Sequence, residues 1–532
     1  MRPYFAIPAL LCACTGQIDN PPPNDEPAEL ASLCPTTTLS VAKAPLRHLT
    51  RDQYDNTVRD LLGDTTTPAR SFPPDERLGH FVAGLAVSPL LADKYIETAA
   101  ALAARAMPRL DQLLGCNRDD ACAHRFIETF GLKTYRRPLE RTEVDALATF
   151  YDEAKAAHGF DTAMRMLLER LLSSPFFVYR VESGGPGDPR PLTSYETASR
   201  LSYFLWRTMP DDELFARAAA GDLDTQAGIE AAARDMLEDP KARPMVRDFV
   251  TQWLGLSRLD EVAKDPAFYP QFDEQLRDTM RAETERFIDY VLFEGDGKLA
   301  TLLSASYSFV DARLAELYGA APVAGTELKL RNFDPTQRAG LLTQASVLSM
   351  LAKSNQTSPV HRGLFVRERL LCQPLPPPPP DVAAEIPSPD PNSTARQRFA
   401  AHTENASCAA CHRLVDPIGF GFENYDGIGR YRTQDGTHAV DASGEIIAAD
   451  DLSGVFTGAV ELAHKLAHSK QVEACFTEQW MHYALGRGDR DDACSSAKVN
   501  ERFAATGGDL TELIIAITTS DAFRYLAASE AP

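Results

Sequence analysis

Long apolar runs are missing from this chain: none approaches the roughly 18 consecutive residues that a membrane-spanning helix needs, which excludes a multispanning topology. Positive charge is also short, with 54 Lys and Arg against 75 Asp and Glu and a formal charge of −21. A surface of that sign repels polyphosphate, so nucleic acid is not an expected partner and anionic lipid is not held by charge alone. A P-loop, a dinucleotide-binding glycine fingerprint, a GxSxG elbow and an HExxH motif are all absent. Their absence removes the commonest nucleotide-dependent, serine-hydrolase and zinc-protease chemistries. No sustained period-two alternation marks a large sheet, and no internal repeat is evident.

Cysteine is scarce, 10 in 532 residues, so the place of each one carries information. The start, MRPYFAIPALLCACTGQIDNPPPNDEPAEL, has one basic residue, a short apolar stretch from Tyr4 to Ala13 and a proline-rich acidic tail. It reads as a bacterial lipoprotein signal over 1–13, with Cys14 as the lipidated residue and 14–44 as a tether. The expected location is therefore extracytoplasmic, with a lipid anchor as the sole attachment to a membrane. In an exported chain the even remainder Cys34, Cys116, Cys122, Cys372, Cys475 and Cys494 reads as three disulfides. Short spacing pairs Cys116 with Cys122 and Cys475 with Cys494, which leaves Cys34 for Cys372.

What is abundant is helical periodicity. DEQLRDTMRAETERFIDYVLF (273–293) opens on Asp273 as an N-cap and repeats apolar residues at Leu276, Met280, Phe287 and Val291, the 3.6-residue period of an amphipathic helix. Similar patterns occupy 45–63, 141–157, 194–209, 241–256 and 509–526, and 437–452 reads as a short hairpin. Within the first of these helices Glu283 and Glu285 face different directions, so solvated or ion-paired roles are expected of them rather than paired acid–base chemistry. The chain is long enough for several domains. It breaks at 183–191, at 331–337 and at 373–392, where five consecutive prolines predict a rigid polyproline spacer.

The remaining two cysteines stand in Cys408-Ala409-Ala410-Cys411-His412. In an exported chain this spacing is that of a covalent haem c: two thiols add to the porphyrin vinyl groups, and His412 coordinates the iron. A thioredoxin-like disulfide would open a helix after a buried strand, and no such strand pattern precedes residue 408. Structural zinc would need a second ligand pair, and the next histidine, His438, stands alone. The run DPIGFGFENYDGIGRYR that follows then reads as haem packaging. Pro417 supplies a carbonyl for the Nδ1 proton of His412, and Phe420, Phe422, Tyr425 and Tyr431 cover the porphyrin. The glycines between them permit close approach, and Arg430 and Arg432 meet the propionates. For the sixth iron position Met481 is the candidate by chemistry, with His402, His438, His464, His468 and His482 as alternatives.

PLRHLTRDQYDNTVRDLLGD, TYRRPLERTEVDALATFYDEA, LTSYETASRLSYFLWRTMPDDELFARAAAGDL, the stretch from RAGLLTQASVLSM through CAACHRLVDPIGFGFENYDGIGRYR, and CFTEQWMHYALGRG follow one another along the chain. In that order they resemble the exported bacterial proteins, common in planctomycetes and myxobacteria, built from domains of unknown function 1587, 1595, 1592, 1588 and 1585. The resemblance implies a mainly α, multi-domain helical protein with one cytochrome c-like haem segment near the C-terminus, and it carries over Cys408, Cys411 and His412. It divides the chain into an N-terminal helical region (45–182), a central domain (190–332), a linker and haem segment (335–435) and a C-terminal domain (436–532). The expected function is electron transfer or haem-dependent redox chemistry with an unidentified redox partner. The alternatives are a cell-surface binding protein with a structural haem domain, and an open-site haem peroxidase or oxygenase.

Overall fold

The computed structural model describes residues 34, 39, 41–376, 388–390, 392–399, 406–488 and 492–527. Cys14 and the signal, most of the proline run and His402 lie outside the described residues. The protein is mainly helical, as expected, and its strands are short two-stranded antiparallel ribbons.

Local chemistry sets the helices. Thr50 and Gln53 cap each other's backbone at the start of Arg51–Leu62, and Gly63 ends that helix at φ 64°, a left-handed conformation that glycine adopts without steric penalty. Asp273 accepts the Leu276 N–H at the start of Glu274–Phe293, and Leu276, Met280, Phe287 and Val291 are all buried, as their periodicity predicts. Segment 241–256 becomes a helical turn followed by Arg243–Leu254, and 509–526 divides into Leu510–Thr518 and Asp521–Arg524. The hairpin expected over 437–452 is instead parts of two ribbons, Gln434–Asp435 with His438–Ala439 and Ser443–Ile446 with Gly454–Thr457.

Two large cores result. The N-terminal one gathers Leu102, Ile127, Leu168 and Leu171 from the helices Pro89–Ala106, Asp120–Tyr135 and Phe160–Leu172. The larger one is continuous from the central segment to the C-terminus. Phe249 stacks on Trp480 at a centroid distance of 3.7 Å, and Trp253 and Phe476 close around them. Ile418 and Phe422, just past the CxxCH motif, belong to the same core. The motif is therefore anchored to a body built from both the central and the C-terminal segments.

Disulfides reinforce this closure. Cys116 bridges Cys122, as spacing suggested, but Cys372 bridges Cys475 and Cys34 bridges Cys494. The expected Cys475–Cys494 and Cys34–Cys372 pairs are not formed. Cys475 lies within the helix Lys470–Leu485, and the face it shares with Gln471 meets the chain at 369–372: Gln471 donates to the Leu371 carbonyl at 3.1 Å. Packing between distant segments, not proximity in sequence, chose the partners.

Candidate haem-attachment site

Cys408, Cys411 and His412 lie on the helix Ala406–Phe420. Three residues apart on a helix, the two cysteines share a face. Both are partly exposed, and they stand outside the three disulfides that hold the other described cysteines. One turn beyond His412, Asp416 is buried (1% exposed), and its two carboxylate oxygens lie 3.0 and 2.9 Å from His412 Nδ1. The hydrogen bond to Asp416 raises the His412 pKa, against the smaller opposing effect of burial.

This contact corrects the expectation for Pro417. Within a helix the residue that reaches back to His412 is the fourth one on, Asp416, and Pro417 comes one position too late. The Pro417 carbonyl instead faces Gly444 of the neighbouring ribbon, where a Cβ would stand 2.6 Å from it. Proline in a helix interior also has no N–H to give to the fourth carbonyl back, so the last turn of this helix is held from outside.

The outside support is the helix Pro359–Leu370, whose Ser358 cap accepts the His361 N–H. The two backbones touch. A Cβ on Gly363 would lie 1.9 Å from the Val415 carbonyl oxygen, and one on Gly419 would lie 1.8 Å from that of Pro359. Real Cβ atoms do not come that close, so the crossing requires glycine at both positions.

The loop after the motif is gripped from the same side. Arg362, with its side chain fully buried, donates to the carbonyls of Phe422, Tyr425 and Asp426 at 2.8, 3.1 and 2.9 Å and pairs with Glu423 at 3.3 Å. Glu423 also accepts from Arg432 at 2.9 Å and from Thr357 at 2.8 Å. Arg338 donates to the Gly429 carbonyl at 2.8 Å and sits over the Tyr425 ring. A buried charge left without its partner costs about 3–5 kcal/mol, so this network fixes the loop firmly.

The aromatic and glycine run is therefore protein packing. Phe420 lies under Arg396 at 4.3 Å, and Phe422 and Tyr425 are buried in the body. Gly421 makes room for Phe456, Gly427 for Tyr269 and Gly429 for Ala345. Arg432 is bound to Glu423 and Asp435, whereas Arg430 is exposed. The glycines and the buried aromatics of this run seat the motif helix against the body.

Five family models match the chain in order, each described as a protein of unknown function: DUF1587 over 47–108, DUF1595 over 122–182, DUF1592 over 192–320, DUF1588 over 338–435 and DUF1585 over 454–523. The chain belongs to the family built from these five domains. The DUF1588 model, which spans the motif, carries the cytochrome-type name PSCyt3. No curated protein and no solved structure matches the chain.

Met481 is 3% exposed inside the large core, on the helix Lys470–Leu485. His438 bonds the Asn392 carbonyl, His468 bonds the His464 carbonyl, and His482 lies 3.6 Å from Glu478. It is Asp416 that the structure brings to His412. The signal for it was present in the sequence as a carboxylate four residues after a histidine, inside a stretch that turns out to be helical. Among the described residues no group of three or more His, Cys, Asp and Glu is arranged to hold a bare metal ion. Glu283 also departs from expectation, being neither solvated nor ion-paired: it is fully buried and accepts from Tyr318 at 2.6 Å, and burial pushes its pKa up to about 7. No described helix is long and apolar enough to cross a membrane, and three disulfides fit an oxidising compartment.

Proposed function

We propose that this protein is an exported, lipid-anchored carrier of one covalent haem c, held by Cys408, Cys411 and His412, with electron transfer to a protein partner as its function. One observation carries the reading. In a chain whose other described cysteines are all oxidised to disulfides, two partly exposed cysteines one helical turn apart remain outside them, beside a histidine oriented by a buried carboxylate. The donor set fits the group. Each thiol would add across a vinyl double bond of the bound group, sulfur to one carbon and proton to the other, without an oxidant. Asp416 accepts the Nδ1 proton of His412, which fixes the tautomer and leaves Nε2 as the ligand atom.

The bound haem would supply one-electron redox chemistry. The chain's own residues do the rest. Asp416 raises the basicity of His412, Gly363 and Gly419 hold the motif helix against the body, and Arg362 fixes the loop behind it. Arg430 is the exposed cation of that loop and is assigned to a propionate. Cys14 is assigned to the lipid anchor.

The Asp416 contact also favours a second reading. A histidine made a stronger donor suits an iron with an open sixth position that reacts with peroxide or oxygen. Full-length protein from a host that matures c-type haem tests both. A covalent pyridine haemochrome in the wild type, lost in Cys408→Ala/Cys411→Ala with the far-ultraviolet circular dichroism unchanged, is the expected result. A wild type without covalent haem refutes the attachment. A carbon monoxide shift in the reduced spectrum selects the open-site reading.

A further inference from the structure

Far along the chain from the motif, a ribbon of two strands, Arg47–His48 and Tyr179–Arg180, sets Arg47 directly opposite Arg180. Like charges placed across an antiparallel pair destabilise it, so such a pair calls for a compensating anion. Both arginines line a cavity of about 370 Å³ that also exposes Tyr203, Phe204, Arg207 and Tyr483.

The carboxylates nearby are already committed. Glu182 is bound by Arg200 through both oxygens and offsets part of the charge of Arg180 and Arg47; against burial, the three arginines hold its pKa down at about 2. Asp52 and Asp248 pair with Arg207 at 3.0 and 3.3 Å, and Asp248 also accepts from Tyr483 at 2.8 Å. Asp75 accepts the backbone N–H of Arg51. The guanidinium of Arg51 is itself satisfied by the Ala69 and Arg70 carbonyls.

Arg180 is 8% exposed, and its Nε has no hydrogen-bond partner; its guanidinium stands over the Tyr203 ring at 5.5 Å. Arg47 packs where a side chain on residue 486 would otherwise stand, and Gly486, at φ 61°, leaves that space open. Burial and the neighbouring Arg180 lower the pKa of Arg47, and burial lowers that of Arg180 to about 10, in both cases against the smaller opposing effect of Glu182. A molecule that is strongly acidic overall has here concentrated positive charge in one concave, partly aromatic place.

We propose that Arg47 and Arg180 form an oxyanion-binding site that takes a carboxylate or phosphate group of a small organic anion, with the ligand's ring or apolar part against Tyr203, Phe204 and Tyr483. Two guanidinium groups side by side present the paired N–H donors that planar and tetrahedral oxyanions accept, and the cavity is of a size that encloses a small molecule. The site uses none of the residues assigned to haem, and it stands whether or not that assignment does.

The test is thermal unfolding and titration calorimetry of the full-length protein with inorganic phosphate and with benzoate, against sodium chloride at equal ionic strength. Wild type is expected to bind at least one of the two and to unfold at a higher temperature in its presence. Phosphate alone would assign a tetrahedral oxyanion, and benzoate alone a carboxylate on a ring. Arg180→Met is expected to weaken binding at least tenfold and, because the like-charge pair is relieved, to raise the melting temperature without ligand. Arg47→Met gives the same pair of readouts should the first variant fail to fold. Wild type that binds neither anion overturns the site. So does binding that survives either substitution, or an Arg180→Met protein that folds but melts below wild type without ligand.

Discussion

Replacing Gly363 by alanine asks whether the motif helix is really seated backbone against backbone. The new methyl carbon would stand 1.9 Å from the Val415 carbonyl oxygen, against about 3.4 Å for an ordinary contact. The helix Ala406–Phe420 must therefore retreat by about 1.5 Å or the Pro359–Leu370 helix must bend. The obstacle is a carbonyl of a packed helix, not the tip of a side chain, so the cost falls at the upper end of the usual overpacking range, about 3 kcal/mol. Alanine returns about 1 kcal/mol through its better helix propensity, for a net loss of about 2 kcal/mol. Because the loss is local, hydrogen–deuterium exchange of peptides covering 406–420 is the assay, and protection there is expected to fall about thirtyfold. Gly131→Ala is the control. Its Cβ would stand 2.5 Å from Leu139 Cδ1, the end of a side chain that can rotate away, so its peptides are expected to keep their protection or gain some. Unchanged exchange over 406–420 in Gly363→Ala would refute the seating argument.

Two further outcomes follow from buried carboxylates. Burial raises Glu283 from 4.5 to about 7, so the folded state holds the proton more tightly than the unfolded chain. Its contribution is complete below about pH 4.5 and is lost as pH rises through 7. The difference of 2.5 pH units at 1.36 kcal/mol each is about 3 kcal/mol. Glu283→Gln should therefore be more stable than wild type by about that amount at pH 8, with the gap closing toward pH 4.5 in urea titrations; a constant gap across that range would disprove the linkage. Asp416→Asn should leave the thioether attachment intact and move the reduction potential of the haem-loaded protein to more positive values, because a carboxylate no longer strengthens the His412 donor. An unmoved potential would reduce Asp416 to packing.

The helices that were legible in the sequence have local signals. Asp273 announces Glu274–Phe293, and the same four apolar residues that set its period are buried in it. The disulfides were legible as a set but not as pairs. Spacing identified Cys116–Cys122, whose sequence separation is 6. It failed for Cys475, whose partner is 103 residues away and is selected by which segment packs against one helix face. The continuous core joining the central and C-terminal segments had no local signal at all, since Phe249 and Trp480 meet only after the chain has closed.

The run after the motif shows why local chemistry identifies a need and not what meets it. Glycines at 419, 421, 427 and 429 do mark close approach, yet what approaches is Pro359, Phe456, Tyr269 and Ala345. Aromatic residues beside a cofactor motif have the same apolar area whether they cover a ring system or fill a core, and Phe422 and Tyr425 fill the core. The distinction was carried by residues some sixty positions upstream: Arg362, buried and bonded to the carbonyls of Phe422, Tyr425 and Asp426, and Gly363 beside it. A buried arginine followed by a glycine within one helix has no meaning until its partner segment is known. Once the two are paired, the cluster of glycines and aromatics follows from the need to press a short helix against the body with its cysteines outward. His412 and Asp416, like Cys408 and Cys411, have their relation set within a single element, the helix they share, and for that reason they are where a reading of sequence alone has the most to recover.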